Sequence, residues 1–163
     1  MTQWPVRPNH AILHSGLPLF MEFKQGAEIG DALILPGDLV EFTAPGADCT
    51  VRAGQVDSTT VIGVANIHPV PGDTPPRGGD RLTPYKAGDQ IEILRGPLIV
   101  MLRIASSNEI TCGEMVQPAA GGEVYEFICG TDNDCQRIAQ ALETTASDTT
   151  TFQWGLFALE RFG

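Results

Sequence analysis

His10 and His14 stand four residues apart, the spacing that sets two imidazoles on one face of a helix within reach of one metal ion. Pro8 and Gly16 flank the pair and no HExxH pattern surrounds it, so the helix such a site needs is not expected. With His68, these histidines read as surface or packing residues. Cys49, Cys112, Cys129 and Cys135 are the next candidate ligands. No CxxC knuckle is present, and CGTDNDC parts Cys129 from Cys135 by more than paired zinc ligands use. They read as thiols, although a Cys129–Cys135 disulfide would close a polar turn. Carboxylates beside glycine, PGD at 36–38, GGD at 78–80 and AGD at 87–89, have the chemistry to bind a metal or a sugar. Glycine at a positive-φ position followed by an aspartate that bonds the turn backbone explains them more simply, as turns that launch strands. The Ser/Thr-rich stretches carry no GxSxG elbow, and neither GxxxxGK[ST] nor strand–GxGxxG–helix occurs. No catalytic residue, metal or cofactor is expected, and the chain is not expected to be an enzyme.

The elements available to position any site are strands. The chain has 163 residues, 42% hydrophobic and 18% charged, which suits one domain with a substantial core. Its 18 Gly and 12 Pro are spread along the text, as strands joined by tight turns require, and the expected class is mainly β. PGDLVEFTAPG, DCTVRAGQ and TTVIGVANI each read as a strand, EITCGEMVQPAAGGEVYEF as a hairpin and FQWGLFALERF as a closing strand. In YKAGDQIEILRGPLIVMLRI, Leu98, Val100, Leu102 and Ile104 share one face and Ile99, Met101 and Arg103 the other, so this strand needs cover on both sides. HPVPGDTPPRGGDRLTP, with five prolines, reads as an exposed loop centred on 69–84. DNDCQRIAQALETTAS is the one helix candidate: Asp132 or Asp134 caps it, Ile138, Ala141 and Leu142 form a stripe, and SDTTT stops it. Residues 1–35 hold Trp4, Ile12, Leu17, Phe20 and Phe23 without a regular period and read as an extended arm laid on a surface.

Ten basic against 20 acidic side chains give a net charge of −10, which repels phosphate backbones, so no direct nucleic-acid partner is expected. There is no 18-residue apolar run and MTQWPVRPNH lacks the pattern of a signal peptide, so a soluble protein made in the cytoplasm, with no membrane partner, is expected.

Taken in order, the proline-containing arm, PGDLVEF, VIGVA, YKAGDQIEIL running through RGPLIVMLR, the ITCGEMVQPAAGGEVYEF hairpin, RIAQALE at 137–143 before a Thr/Ser-rich turn, and WGLFALERF resemble the capsid decoration, or cement, proteins of tailed double-stranded DNA viruses. The resemblance runs from about Pro36 onward. The Pro-rich loop at 68–84 and the cysteines near Asp132 depart from it. It implies a small β-barrel of the β-tulip kind over 36–163, with one short helix near the C-terminus and an extended arm over 1–35. It implies a virion structural protein, a homotrimer made in the host cytoplasm and seated on the outer surface of the capsid, where it stabilises contacts between subunits of the major capsid protein. Ile99 and Met101 would then face a sister subunit, and Trp4, Ile12, Leu17 and Phe20 of the arm would contact the capsid. An acidic surface suits a particle exterior. The rival reading is a small-ligand or carbohydrate-binding β-barrel presenting Trp4, Tyr85, Tyr125 or Trp154 in a concave site, with a hydrolase third.

Overall fold

A computed structural model describes residues 12–16, 19–25, 33–43, 50–67, 84–128, 137–145 and 153–160. The β-branched and aromatic runs form strands where expected: β3 (Leu39–Phe42), β4 (Thr50–Ala53), β5 (Val61–Ala65), β6 (Gln90–Arg95), β7 (Ile99–Ile104), β8 (Met115–Pro118), β9 (Val124–Glu126) and β11 (Gln153–Leu159). Within the segment read as an arm, the described residues are also sheet, as β1 (Leu13–Ser15) and β2 (Leu19–Gln25). The expected helix near the C-terminus is not formed by its described part. Ala139–Ala141 is strand β10, with Ala139 and Ala141 buried and Gln140 exposed, a period of two. RIAQALE has good helix formers, but β10 fills the gap between β8 and β11, and those ladder bonds outweigh a propensity of tenths of a kcal/mol per residue. The one helical element among the described residues is a 3₁₀ turn, Ala120–Gly122.

The strands make two curled sheets. The first is a closed barrel in the order β2-β4-β3-β5-β6. The second runs β7-β11-β10-β8-β9 and closes on itself where β9 pairs with β7 in parallel, with β1 added beside β7. Replacing β2, β3, β4, β5 and β6 by β7, β8, β9, β10 and β11 turns the first order into the second, and the registers follow. Val40↔Gly63 corresponds to Val116↔Ala139, Phe42↔Val51 to Pro118↔Val124, and Val64↔Leu94 to Gln140↔Ala158. Phe20↔Leu94 corresponds to Ile99↔Ala158, and the parallel pair Gln25↔Val51 to Ile104↔Val124. Even the isolated bridges match, Ile34↔Tyr85 with Ile110↔Thr145. The chain is a tandem repeat of one five-stranded unit.

One apolar cluster fills the first barrel: Ile34, Val40, Val51, Ala53, Ala65, Tyr85, Ile91 and Ile93. The larger cluster fills the second barrel with Val100, Leu102, Ile104, Val116, Val124, Ile138 and Phe157, and extends to Leu39, Val64 and Leu94 on the outside of the first. These three join the barrels, at about 1.5–3 kcal/mol for each large apolar side chain fully buried.

Candidate functional site: the junction between the barrels

Two turns of the same construction enter the two barrels. In the 35–38 turn the amide of Asp38 donates to the Leu35 carbonyl at 3.0 Å, the Leu35 amide donates to Asp38 Oδ2 at 2.8 Å, and Gly37 takes φ 89°. In the 111–114 turn Glu114 donates to the Thr111 carbonyl at 3.0 Å, Thr111 donates to Glu114 Oε2 at 2.6 Å, and Gly113 takes φ 94°. The 86–89 turn repeats the device, with Lys86 donating to Asp89 Oδ2 at 2.7 Å and Gly88 at φ 90°. PGD and AGD are thus the turns expected from the sequence, and GGD lies outside the described residues.

The first of these turns does more. Asp38 is fully buried and accepts from Arg103 Nε at 2.6 Å. The same guanidinium donates through Nη2 to the Gly121 carbonyl at 2.7 Å and meets Glu123 Oε1 through Nη1 at 3.2 Å. Arg103 lies on β7 and Glu123 precedes β9, so the cluster ties the entry of the first barrel to two strands of the second. Gly122 lets the backbones close: a Cβ there would lie 2.6 Å from Asp38 Cβ and 2.8 Å from the Leu39 carbonyl. Around this cluster the Arg103 amide donates to the Gly37 carbonyl at 3.2 Å, Gly122 to Gly54 at 2.9 Å and Asp57 to Pro118 at 3.2 Å. Tyr125 Oη donates to Asp57 Oδ1 at 2.6 Å. Beside the junction, Glu41 is 2% exposed and is held by Arg52 Nε at 2.8 Å and by the Ser58 hydroxyl.

Burial pushes the Asp38 carboxyl up to about 7, against the opposing pull of Arg103 and of the Leu35 amide. Burial raises Glu123 as well, against the same arginine. The ion pair therefore recovers part of the desolvation cost of Asp38 and not all of it, as is common for charges taken into a protein interior. Every oxygen and nitrogen named here is already committed to a neighbour in the chain. No group of three His, Cys, Asp or Glu that could hold a metal occurs among the described residues. The chemistry of this junction is mechanical: it holds two barrels in one orientation.

The sequence-derived site residues fall elsewhere. Ile12 is fully buried in the main core, and Phe20 lies on β2 opposite Leu94. Trp4 and Leu17 lie outside the described residues. Met101 is 5% exposed, enclosed by its own chain, and its amide donates to the Ile12 carbonyl at 2.8 Å. Ile99 is half-buried and packs on the same core. His14 is on β1, while His10, His68, Cys49, Cys129 and Cys135 are outside the described residues. Cys112 is an exposed free thiol. Of the aromatic residues a sugar site would present, Tyr85 is fully buried with its hydroxyl bonded to the Asn66 carbonyl at 3.1 Å, Tyr125 is bonded to Asp57, and Trp154 Nε1 reaches the Pro36 carbonyl at 3.5 Å. Arg103 and Glu123 were not singled out by sequence. Their signal is an arginine on an otherwise apolar strand and a glutamate after two glycines.

No protein-family model matches the chain, and no curated protein matches it in sequence. Among solved structures the fold is similar to the N base of the head fibre protein gp8.5 of bacteriophage phi29, with a TM-score of 0.52 over 89% of this chain and 96% of that one. The identity is 11%, so the likeness is one of fold.

Proposed function

We propose that this chain is a structural protein of a tailed-phage head, a decoration module that sits on the outer surface of the capsid and cements contacts between major capsid protein subunits. The observation that carries this is the end-to-end likeness of fold to a phage head-fibre base, 89% of one chain on 96% of the other. Two further features support it. The polar residues at the junction serve to fix two barrels together, as a rigid particle component requires. The net charge of −10 gives an exterior protein mutual repulsion between particles. The working form is a homotrimer, an arrangement that matches local threefold positions on a capsid lattice. The carbohydrate-binding alternative is not favoured, because Tyr85, Tyr125 and Trp154 are engaged within the chain.

The test is sedimentation of purified protein with phage heads that lack it. Saturable co-pelleting, together with a higher temperature of genome release from the decorated heads, is the expected result. Protein that stays in the supernatant at every ratio would remove the reading.

A further inference from the structure

We propose that the 119–123 tip of the β8–β9 hairpin is a proton-sensitive lid over the buried Asp38–Arg103 pair, closed while the cluster beneath it holds a proton and lifting as that proton leaves. The lid is a property of the fold and stands whether or not the chain belongs to a virion.

The tip is placed and built as a cover. Ala120–Gly122 forms the 3₁₀ turn, which bends at Gly121, with φ 70°, and Gly122, with φ 78°. Gly122 lies directly on the carboxyl that it covers, since a Cβ there would stand 2.6 Å from Asp38 Cβ and 3.0 Å from Asp38 Cγ. Ala120 is exposed to solvent, whereas Asp38 beneath the tip is fully buried. From Ala119 to Glu123 no apolar side chain is larger than alanine, so hydrophobic burial holds the tip only weakly.

What holds it instead is polar. Arg103 donates through Nη2 to the Gly121 carbonyl at 2.7 Å and meets Glu123 Oε1 through Nη1 at 3.2 Å. The Gly122 amide donates to the Gly54 carbonyl at 2.9 Å. Two of these three ties run through the guanidinium that also serves Asp38.

Among the described residues, the charged groups that face Asp38 are Arg103 from β7 and Glu123 from the tip, one cation for two carboxylates. The other described elements against the 35–38 turn bring no titratable group: β5 meets it through Ala65 and β11 through Trp154. Glu41 is engaged by Arg52, and Asp57 by Tyr125. With both carboxylates ionised the covered cluster carries an excess negative charge, and one proton restores neutrality. Burial raises both carboxyls, in accord with that count.

Lifting the tip lets water reach Asp38 and returns its carboxyl towards the ordinary value of 3.8. The closed form therefore binds the proton more tightly, and opening releases it. Opening is favoured as pH rises above the ordinary carboxylate range and levels off near pH 7, where the closed form is itself ionised. A static buried ion pair is the simpler reading. It predicts no local opening, because whatever stability rising pH removes would be lost by the whole chain together.

Hydrogen–deuterium exchange of the full-length protein, measured by mass spectrometry from about pH 5 to 8 at constant ionic strength, separates the two once each rate is divided by the intrinsic rate at that pH. Peptides covering 119–123 should lose protection by up to about tenfold per pH unit until the levelling near pH 7, while peptides from β5 and β10 keep theirs. Asp38→Asn should abolish the slope. Glu123→Gln, which leaves Arg103 a single carboxylate of the two, should bring the levelling to lower pH, and it carries the test if Asp38→Asn does not fold. No slope at the tip, a slope shared equally by β5 and β10, or a profile unmoved by either substitution overturns the lid.

Discussion

Asp38 predicts an unusual dependence of stability on pH. Its carboxyl is raised from the ordinary value of 3.8 to about 7, chiefly by burial. A group whose pKa is higher in the folded state binds its proton more tightly there, so folding is favoured most when the group is protonated in both states. Stability from this residue is therefore full below the ordinary carboxylate range and is lost as pH rises towards about 7. A shift of this size corresponds to on the order of 4 kcal/mol between the two protonation states. Glu123, raised in the same direction, adds to the slope. Urea unfolding at constant ionic strength should give a lower midpoint at pH 8 than at pH 5. The excess of acidic residues contributes to that trend through self-repulsion, so the decisive comparison is with Asp38→Asn, which keeps an oxygen acceptor for Arg103 and has nothing to titrate. The variant should show a clearly flatter profile. A wild-type midpoint that rises from pH 5 to 8, or a variant profile parallel to wild type, would refute the account of Asp38 as an incompletely compensated buried charge.

Arg103→Ala should cost about 3–5 kcal/mol by urea unfolding, since it strands the buried Asp38 and the half-buried Glu123 without their cation. Gly122→Ala puts a methyl 2.6 Å from Asp38 Cβ at a positive φ, and a loss of about 1–3 kcal/mol is expected by the same measurement; an unchanged midpoint would mean the junction is looser than described. Met101→Glu should unfold the chain, with collapse of the far-UV signal on mild heating, because Met101 is enclosed by its own barrels; a folded variant altered only in oligomeric state would point back to a subunit interface.

Strands were readable wherever apolar residues alternated between Gly/Pro/Asp punctuation, because that pattern and the two-residue repeat of a strand have one physical origin. RIAQALE misled for the converse reason. Ile138, Ala141 and Leu142 fit a helical stripe, while Ala139 and Ala141 fit a strand equally well, and seven residues do not separate the two periods. The repeat was present in the text as GDLVEFTAPG at 37–46 and GEMVQPAAGG at 113–122, where glycine, valine, alanine and glycine recur in register and Asp/Glu, Leu/Met and Glu/Gln replace each other. It was hidden elsewhere because the Pro-rich stretch of sequence between β5 and β6 has no counterpart of its kind between β10 and β11. The Asp38–Arg103 pair was not readable at all. Its members are 65 residues apart, and only the packing of one barrel on the other brings them together.

That packing also answers why β7 is apolar on both faces. A strand of a barrel needs one apolar face for the barrel interior, which Val100, Leu102 and Ile104 supply. Its outward positions, Met101 and Arg103, are buried because the first repeat lies on them. The equivalent positions on β2 carry Glu22 and Lys24, and those on β6 carry Gln90 and Glu92 where β11 has Trp154 and Leu156. Arg103 aside, at these equivalent positions the repeat that its sister covers carries apolar residues and the other carries polar ones. The second cover demanded by this strand comes from within the chain, and the segment read as an arm takes part in both barrels through β1 and β2. Deleting residues 1–20 removes β1, the start of β2 and the fully buried Ile12, so the truncated protein should lose its cooperative melt rather than remain a folded barrel. A truncated protein with a melting curve like that of the full chain would show that the second barrel closes without β1 and that the first tolerates a shortened β2.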